Sequence, residues 1–337
     1  MKLRGIDFGP IFGASGVEGF FGEGYWFHKP WKALGLLSFK DMTFVSKTAT
    51  LEPVVGNMPL WPGVEPADPF PNCIRAQPKK GNMLNAVGLS NPGLPVLLET
   101  GRWQCRTEPF LISVMSIAKT AEDRLGEIVE IAGLLEKQKK EFRAPFGVQV
   151  NLSCPNTDED PTELIKESAG QIDALSVLGV PIMPKYSVAT APIDAMLELE
   201  KHPHCDAICV SNTIPYDYLF NRQNGLSFGE QYWGDKTSPL KDFGGGSLSG
   251  NCIKLFVLRY ILELRRAGFK KPINGGGGIM EWRDIGRFDY NGADSFFIGT
   301  VAALRPWRVP SIIKYAHNLR ELKREKERDQ NANYQTA

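Results

Sequence analysis

No run of about eighteen uninterrupted apolar residues occurs in this 337-residue sequence, so no transmembrane helix is expected. The opening Met1-Lys2-Leu3-Arg4-Gly5-Ile6-Asp7 lacks the apolar core of a signal peptide. The protein therefore reads as cytoplasmic, with reduced thiols and no membrane partner. An excess of charge of one sign is missing too. With 39 basic and 38 acidic residues the net charge is +1, which leaves no electrostatic footprint for nucleic acid or an anionic lipid surface. The six cysteines are scattered, and Cys205 and Cys209 have no second pair to complete a zinc site, although His202 and His204 lie close by. That cluster reads as a polar helix-to-strand turn, and nothing in the spacing suggests an iron–sulfur cluster of the chain's own. No Gly-x-Gly-x-x-Gly opens the chain, which disfavours a Rossmann domain. A small molecule is the partner class that remains.

What is present centres on Val148-Gln149-Val150-Asn151-Leu152-Ser153-Cys154-Pro155-Asn156-Thr157. Val148, Val150 and Leu152 alternate with Gln149, Asn151 and Ser153, the period-two pattern of a strand, and Pro155 ends it because it has no N–H to donate. Taken alone, Cys154 would be an ordinary buried thiol. Its position, leaving a strand for a loop among amides and a hydroxyl, instead suits a site at the carboxyl end of a parallel strand.

Other polar residues fall at strand ends in the same way. Lys47 follows Thr43-Phe44-Val45, Lys185 sits within Pro181-Ile182-Met183-Pro184-Lys185-Tyr186-Ser187, and Asn212 closes Asp206 to Thr213. A lysine inside an apolar strand needs an anionic partner. Strand and helix alternate about eight times. Buried strand Phe110 to Met115 precedes an amphipathic helix over about 121–139, another helix starts at Pro161, and a charged helix spans about 310–328 before a tail expected to fray from Asp329. The helix over 94–99 is short. This pattern predicts a single (β/α)₈ TIM barrel over residues 1–337, with long loops over its carboxyl face.

Two of those loops stand out. Residues 53–78 are dense in Pro and Gly, and 214–246 form an aromatic-rich excursion (Tyr216, Tyr218, Phe220, Tyr232, Trp233) expected to cover the barrel mouth or to dock a second subunit. Glycines at Gly244-Gly245-Gly246-Ser247-Leu248-Ser249-Gly250 are read as preceding a helix over 253–266. Asn274-Gly275-Gly276-Gly277-Gly278 and Ile298-Gly299-Thr300 end two consecutive strands about twenty residues apart, the spacing of a barrel phosphate site after strands seven and eight. Ser249, Gly250, Gly277, Gly278, Gly299 and Thr300 are the candidates for it.

Asn-Leu-Ser-Cys-Pro-Asn resembles the signature of the dihydroorotate dehydrogenase family, flavin enzymes of pyrimidine biosynthesis. Its cysteine resembles the soluble class 1 members, whereas class 2 members carry Ser there and a membrane-associating N-terminal extension. Lys47-Thr48-Ala49-Thr50-Leu51 resembles the family's Lys-Ser/Thr-x-Thr-Leu, and Asn85 to Asn91 its Asn-x-x-Gly-x-x-Asn. The resemblance runs from Ala14 to Leu304 and implies an FMN-binding barrel. It places Ala14, Ser15, Lys47, Thr48, Asn151 and Lys185 against FMN, and Asn85, Asn151, Asn156, Asn212 and Lys47 around dihydroorotate. It makes Cys154 the general base, with hydride passing to the flavin, and Lys47 the charge that holds the substrate carboxylate.

Other readings stay open: a flavin enzyme acting on another dihydropyrimidine, such as a dihydropyrimidine dehydrogenase or dihydrouridine synthase, a flavin-free lyase or aldolase using Lys185 as a Schiff-base amine, or a non-catalytic FMN-binding barrel. The electron acceptor is equally open between fumarate, NAD through an iron–sulfur partner subunit, and another oxidant. A homodimer is expected.

Overall fold

The computed structural model describes residues 1–61, 64–152, 161–221 and 225–335. Among them, eight parallel segments close into a ring. Strand Ile11–Gly13 meets the second segment at Thr43, the second meets the third at Val45 and Leu111, and Phe110–Val114 pairs along its whole length with Phe146–Val150. The fourth strand joins the fifth through Val148 with Ile182 and Asn151 with Lys185. Lys185–Tyr186 then pairs with Ile208–Val210, that strand with Ile273–Gly276, that with Ser295–Ile298, and the last with the first strand again. The expected barrel is thus present, with its second and fifth members held in part by single bridges.

Helices cover the outside. The one at Ala121–Gln138 starts where Thr120 accepts from the Asp123 N–H, carries Glu122 and Asp123 at its positive end, and buries Ile128, Ile131, Ala132 and Leu135. Pro161–Ser176, Ile193–Glu200, Lys254–Arg266 and Trp282–Tyr290 follow in turn. The barrel interior is filled by Phe12, Val45, Leu111, Met183, Ala207, Cys209 and Phe297, and this cluster is closed by Met1, Leu3 and Phe8. The hairpin of Lys2–Leu3 and Ile6–Asp7 follows Met1, supplies Leu3 and leads into Phe8. Among the described residues no helix is long and apolar enough to cross a membrane.

One expectation is corrected and two are refined. The final helix does not stop near Arg328 but runs from Val309 to Gln335. Gly244 to Gly250 do precede a helix, Lys254–Arg266, and their last four residues form a strand the sequence did not show, Ser247–Gly250, in a four-stranded antiparallel sheet with Asn82–Asn85, Ile74–Gln77 and Ile214–Pro215. Strand signals so short are hard to see in a sequence of glycines and serines, whose β propensity is low. The aromatics of the 214–246 excursion are largely used within the subunit, since Tyr216, Phe228 and Trp233 are buried and Tyr232 packs on Phe228 and Phe256. Their abundance is explained by internal packing.

Candidate active site

At the carboxyl ends of the barrel strands, under the antiparallel sheet, lies a cavity of about 840 Å³, within the range of small-molecule sites. The strand ends bring Ala14 and Ser15, Lys47 and Thr48, Asn151, Lys185, Asn212, Gly277 and Gly278, and Gly299 and Thr300 to its wall; the antiparallel sheet adds Asn85, Ser249 and Gly250. Residues far apart in sequence thus meet around one space. Cys154 and Asn156 lie outside the described residues.

The floor on one side is a chain of hydroxyls. Ser15 Oγ donates to the Ser46 carbonyl at 2.9 Å and lies 2.8 Å from Thr48 Oγ1, which lies 2.9 Å from Ser113 Oγ. Lys47 is turned inward beside it. Its ammonium donates to the Ser90 carbonyl and sits 4.7 Å from the Phe20 ring centroid. Burial pulls its pKa down to about 8, with Glu23 opposing the shift.

Across the cavity, Asn212 Nδ2 donates to Asn151 Oδ1 at 3.1 Å, and Asn212 Oδ1 accepts from the Thr213 N–H at 3.0 Å. The two amides therefore orient each other. Asn85 is placed by its strand, between Ile74 and Ser247 in register. Lys185 is buried, pairs with Asn151 in the backbone ladder, and stands 5.8 Å from the Phe297 ring centroid. Among the described residues its ammonium has no hydrogen-bond or ion-pair partner, and burial lowers its pKa, Cys209 opposing. An unpaired buried cation facing a cavity calls for an electron-rich ligand.

The glycine end is shaped by close approach. A Cβ on Gly278, at φ +92°, would lie 2.6 Å from Lys254 Cβ and 2.8 Å from the Gly250 carbonyl oxygen, so no side chain fits. The turn is held from outside by Lys254, whose ammonium makes a buried ion pair with Asp284 at 2.9 Å, while Asp284 Oδ2 accepts from the Met280 N–H at 2.9 Å. Among the described residues the N–H groups of Gly277, Gly278 and Gly299 donate to no protein acceptor. Thr300 Oγ1 and Ser249 Oγ are hydrogen-bonded at 2.9 Å.

The sequence profile of the dihydroorotate dehydrogenase family matches residues 1–319. The chain belongs to that family. Relatives include the catalytic subunits of NAD(+)-type dihydroorotate dehydrogenase B from Bacillus caldolyticus, 30% identical over 322 residues and covering 93% of this chain and 88% of the relative, and from Bacillus pumilus, 28% identical over 330 residues with 95% and 90% covered. Among solved structures, the dihydroorotate dehydrogenase of Eimeria tenella in complex with ferulenol superimposes with a TM-score of 0.66 at 18% identity, covering 95% of this chain and 84% of that one, a likeness of fold.

Within this family member, some cavity residues were not singled out in the sequence. Tyr25, Trp26, Phe27 and His28 form one wall, and Asp68 to Pro71 with Ile74 another. Tyr25 stacks on Phe27 with centroids 5.4 Å apart, and Trp26 Nε1 donates to the Pro69 carbonyl at 2.7 Å, tying the two walls together. His28 Nε2 lies 3.2 Å from the Ala302 carbonyl and its Nδ1 accepts from the Tyr25 N–H at 3.3 Å. Burial holds its pKa down at about 4, so it is neutral. The signal that could have found them is the cluster of aromatics Tyr25, Trp26, Phe27 and Trp31 within residues 22–37. Glu18 left no signal; it is buried behind the wall, with its pKa pushed up to about 7 against the pull of Arg106 and Lys32.

Proposed function

We propose that this chain oxidises dihydroorotate to orotate in pyrimidine biosynthesis with FMN as its resident electron acceptor. The observation that carries the reading is Lys185, a buried ammonium without a hydrogen-bond or ion-pair partner among the described residues, in a cavity that also collects Lys47 and the Asn85, Asn151 and Asn212 amides. A flavin's pyrimidine edge is the electron-rich partner such a cation requires. The N–H groups of Gly277, Gly278 and Gly299, beside Ser249, Gly250 and Thr300, suit the phosphate, because glycines let backbone donors approach an anion closely. Ala14, Ser15 and Thr48 line the cavity beside Lys47. FMN supplies a two-electron acceptor for the hydride.

The chain's own residues then divide the remaining work. Asn151, Asn212 and Asn85, with Asn156, offer donor and acceptor edges to a planar imide, and the Lys47 ammonium takes the substrate carboxylate. Cys154, which follows the fourth strand in sequence, removes the ring proton as general base. The naming of the relatives as catalytic subunits favours electrons leaving through an iron–sulfur partner subunit; assembly as a homodimer and a cytoplasmic location complete the reading.

A second reading rests on Lys185 as well. Burial lowers the pKa of its amine, which is what a Schiff-base nucleophile in a flavin-free lyase requires. An anaerobic absorbance spectrum before and after adding dihydroorotate separates the two. A flavin band bleached with stoichiometric orotate supports the dehydrogenase. A band that dihydroorotate leaves untouched moves the substrate to another dihydropyrimidine, and no band even after adding FMN rejects the cofactor.

A further inference from the structure

Two buried polar side chains on neighbouring barrel strands have no hydrogen-bond partner among the described residues. Gln149 is 2% exposed, and its Oε1 accepts no hydrogen bond among the described residues. Register fixes its direction. It pairs with Ser113 across the third and fourth strands, and Ser113 Oγ lies 2.9 Å from Thr48 Oγ1 on the cavity wall. Asn151, two residues on, also lines the cavity, so alternation turns Gln149 inward as well. One layer below, a Cβ on Gly147 would lie 2.8 Å from Leu111 Cδ2, and Leu111 belongs to the packed interior with Met183 and Phe297. Gln149 therefore lies between that apolar interior and the cavity floor. Lys185, 8% exposed, occupies the next strand at the level of Asn151.

Leaving a buried acceptor unmade costs roughly 1–3 kcal/mol, and leaving a buried cation unmade costs more. Both residues are diagonal neighbours on adjacent strands, yet Gln149 Oε1 and Lys185 Nζ do not come within hydrogen-bond distance of each other. A water needs two to four polar partners. The amide oxygen, the ammonium and the Ser113 hydroxyl supply them, with the water accepting from Lys185 and donating to Gln149.

We infer that one buried water bridges Gln149 and Lys185 beneath the cavity floor, and that Gln149 is thereby a positioning residue that holds the Lys185 ammonium at the flavin and sets its reduction potential. The part concerning the flavin rests on the FMN reading above. A reduced flavin gathers negative charge on its pyrimidine ring, and a charged Lys185 stabilises it. Without the bridging water the ammonium has no solvating group below it, and desolvation favours the neutral amine.

Two measurements on the holoenzyme test this. In a crystal structure at high resolution, water density within hydrogen-bond distance of both Gln149 Oε1 and Lys185 Nζ is expected; a dry interior with the amide paired elsewhere overturns the inference. In a spectroelectrochemical titration, Gln149→Leu is expected to shift the oxidation–reduction equilibrium toward oxidised flavin about tenfold, which is about 30 mV for a two-electron couple. The same substitution in a Lys185→Met background is expected to add nothing, because Gln149 acts through the lysine. Equal shifts in both backgrounds refute that route, as does no shift in either. If wild-type protein takes up no FMN, the cofactor reading fails, whereas the crystallographic water still decides the bridge.

Discussion

Replacing Lys47 with Met separates stability from binding. The Lys47 pKa falls from 10.5 to about 8 on burial, and each unit corresponds to about 1.4 kcal/mol. Keeping the ammonium charged in the fold at neutral pH therefore costs about 3 kcal/mol. Met keeps the volume and removes the charge, but the Ser90 carbonyl loses its donor, at about 1 kcal/mol. The net expectation for Lys47→Met is a gain of about 2 kcal/mol at pH 7, read as a raised urea midpoint with unchanged slope.

The pH dependence has a definite sign. Because the folded pKa lies below the unfolded one, the unfolded chain binds more protons between about pH 8 and 10.5, so wild-type stability gains from this group as pH rises through that window. The Lys47→Met difference should shrink over the same range. Dihydroorotate affinity should fall roughly 10- to 100-fold in the variant, the worth of a charge-assisted hydrogen bond of about 1.5–3 kcal/mol. A destabilised variant with unchanged substrate affinity refutes both the buried-charge argument and the carboxylate role.

Cys154→Ser is expected to slow flavin reduction steeply at neutral pH while FMN stays bound, since a hydroxyl is a far weaker base than a thiolate; loss of FMN from that variant makes the cysteine structural. Lys185→Ala should weaken FMN binding or its reduction, and normal behaviour in both titrations removes the lysine from the site. Gly278→Ala forces a side chain into φ +92° and onto Lys254 and Gly250, so a fluorescence titration should show at least about a tenfold loss of FMN affinity, one of the larger effects of strain at such a backbone position; unchanged affinity places the phosphate elsewhere.

Much of the barrel was legible because period-two and helical patterns report local geometry directly. Phe110–Val114 with the helix after it shows this best, as does Leu94–Glu99, whose shortness the sequence displayed. The second barrel segment, read as a strand at Thr43-Phe44-Val45, is joined to its neighbours only by isolated bridges at Thr43, Val45 and Ala49. The roof sheet was hidden because Ser247–Gly250 has no strand-forming composition and is held by pairing with Asn82–Asn85. The aromatics of 214–246 were visible as residues but not as to which way they face, and Tyr216, Phe228 and Trp233 are buried within the subunit.

The sequence by itself determined which chemical groups are available and that they end strands: Lys47, Asn151, Lys185, Asn212 and the paired glycines are local facts of pattern and composition. Only the tertiary structure decided that these ends share one cavity, that Asn212 and Asn151 bond to each other, and that half-buried Lys47 and buried Lys185 are cations of lowered pKa. Spacing along a chain carries the type and periodicity of a residue. Its desolvation and its charge partners depend on strands brought together from elsewhere, and those set its chemistry.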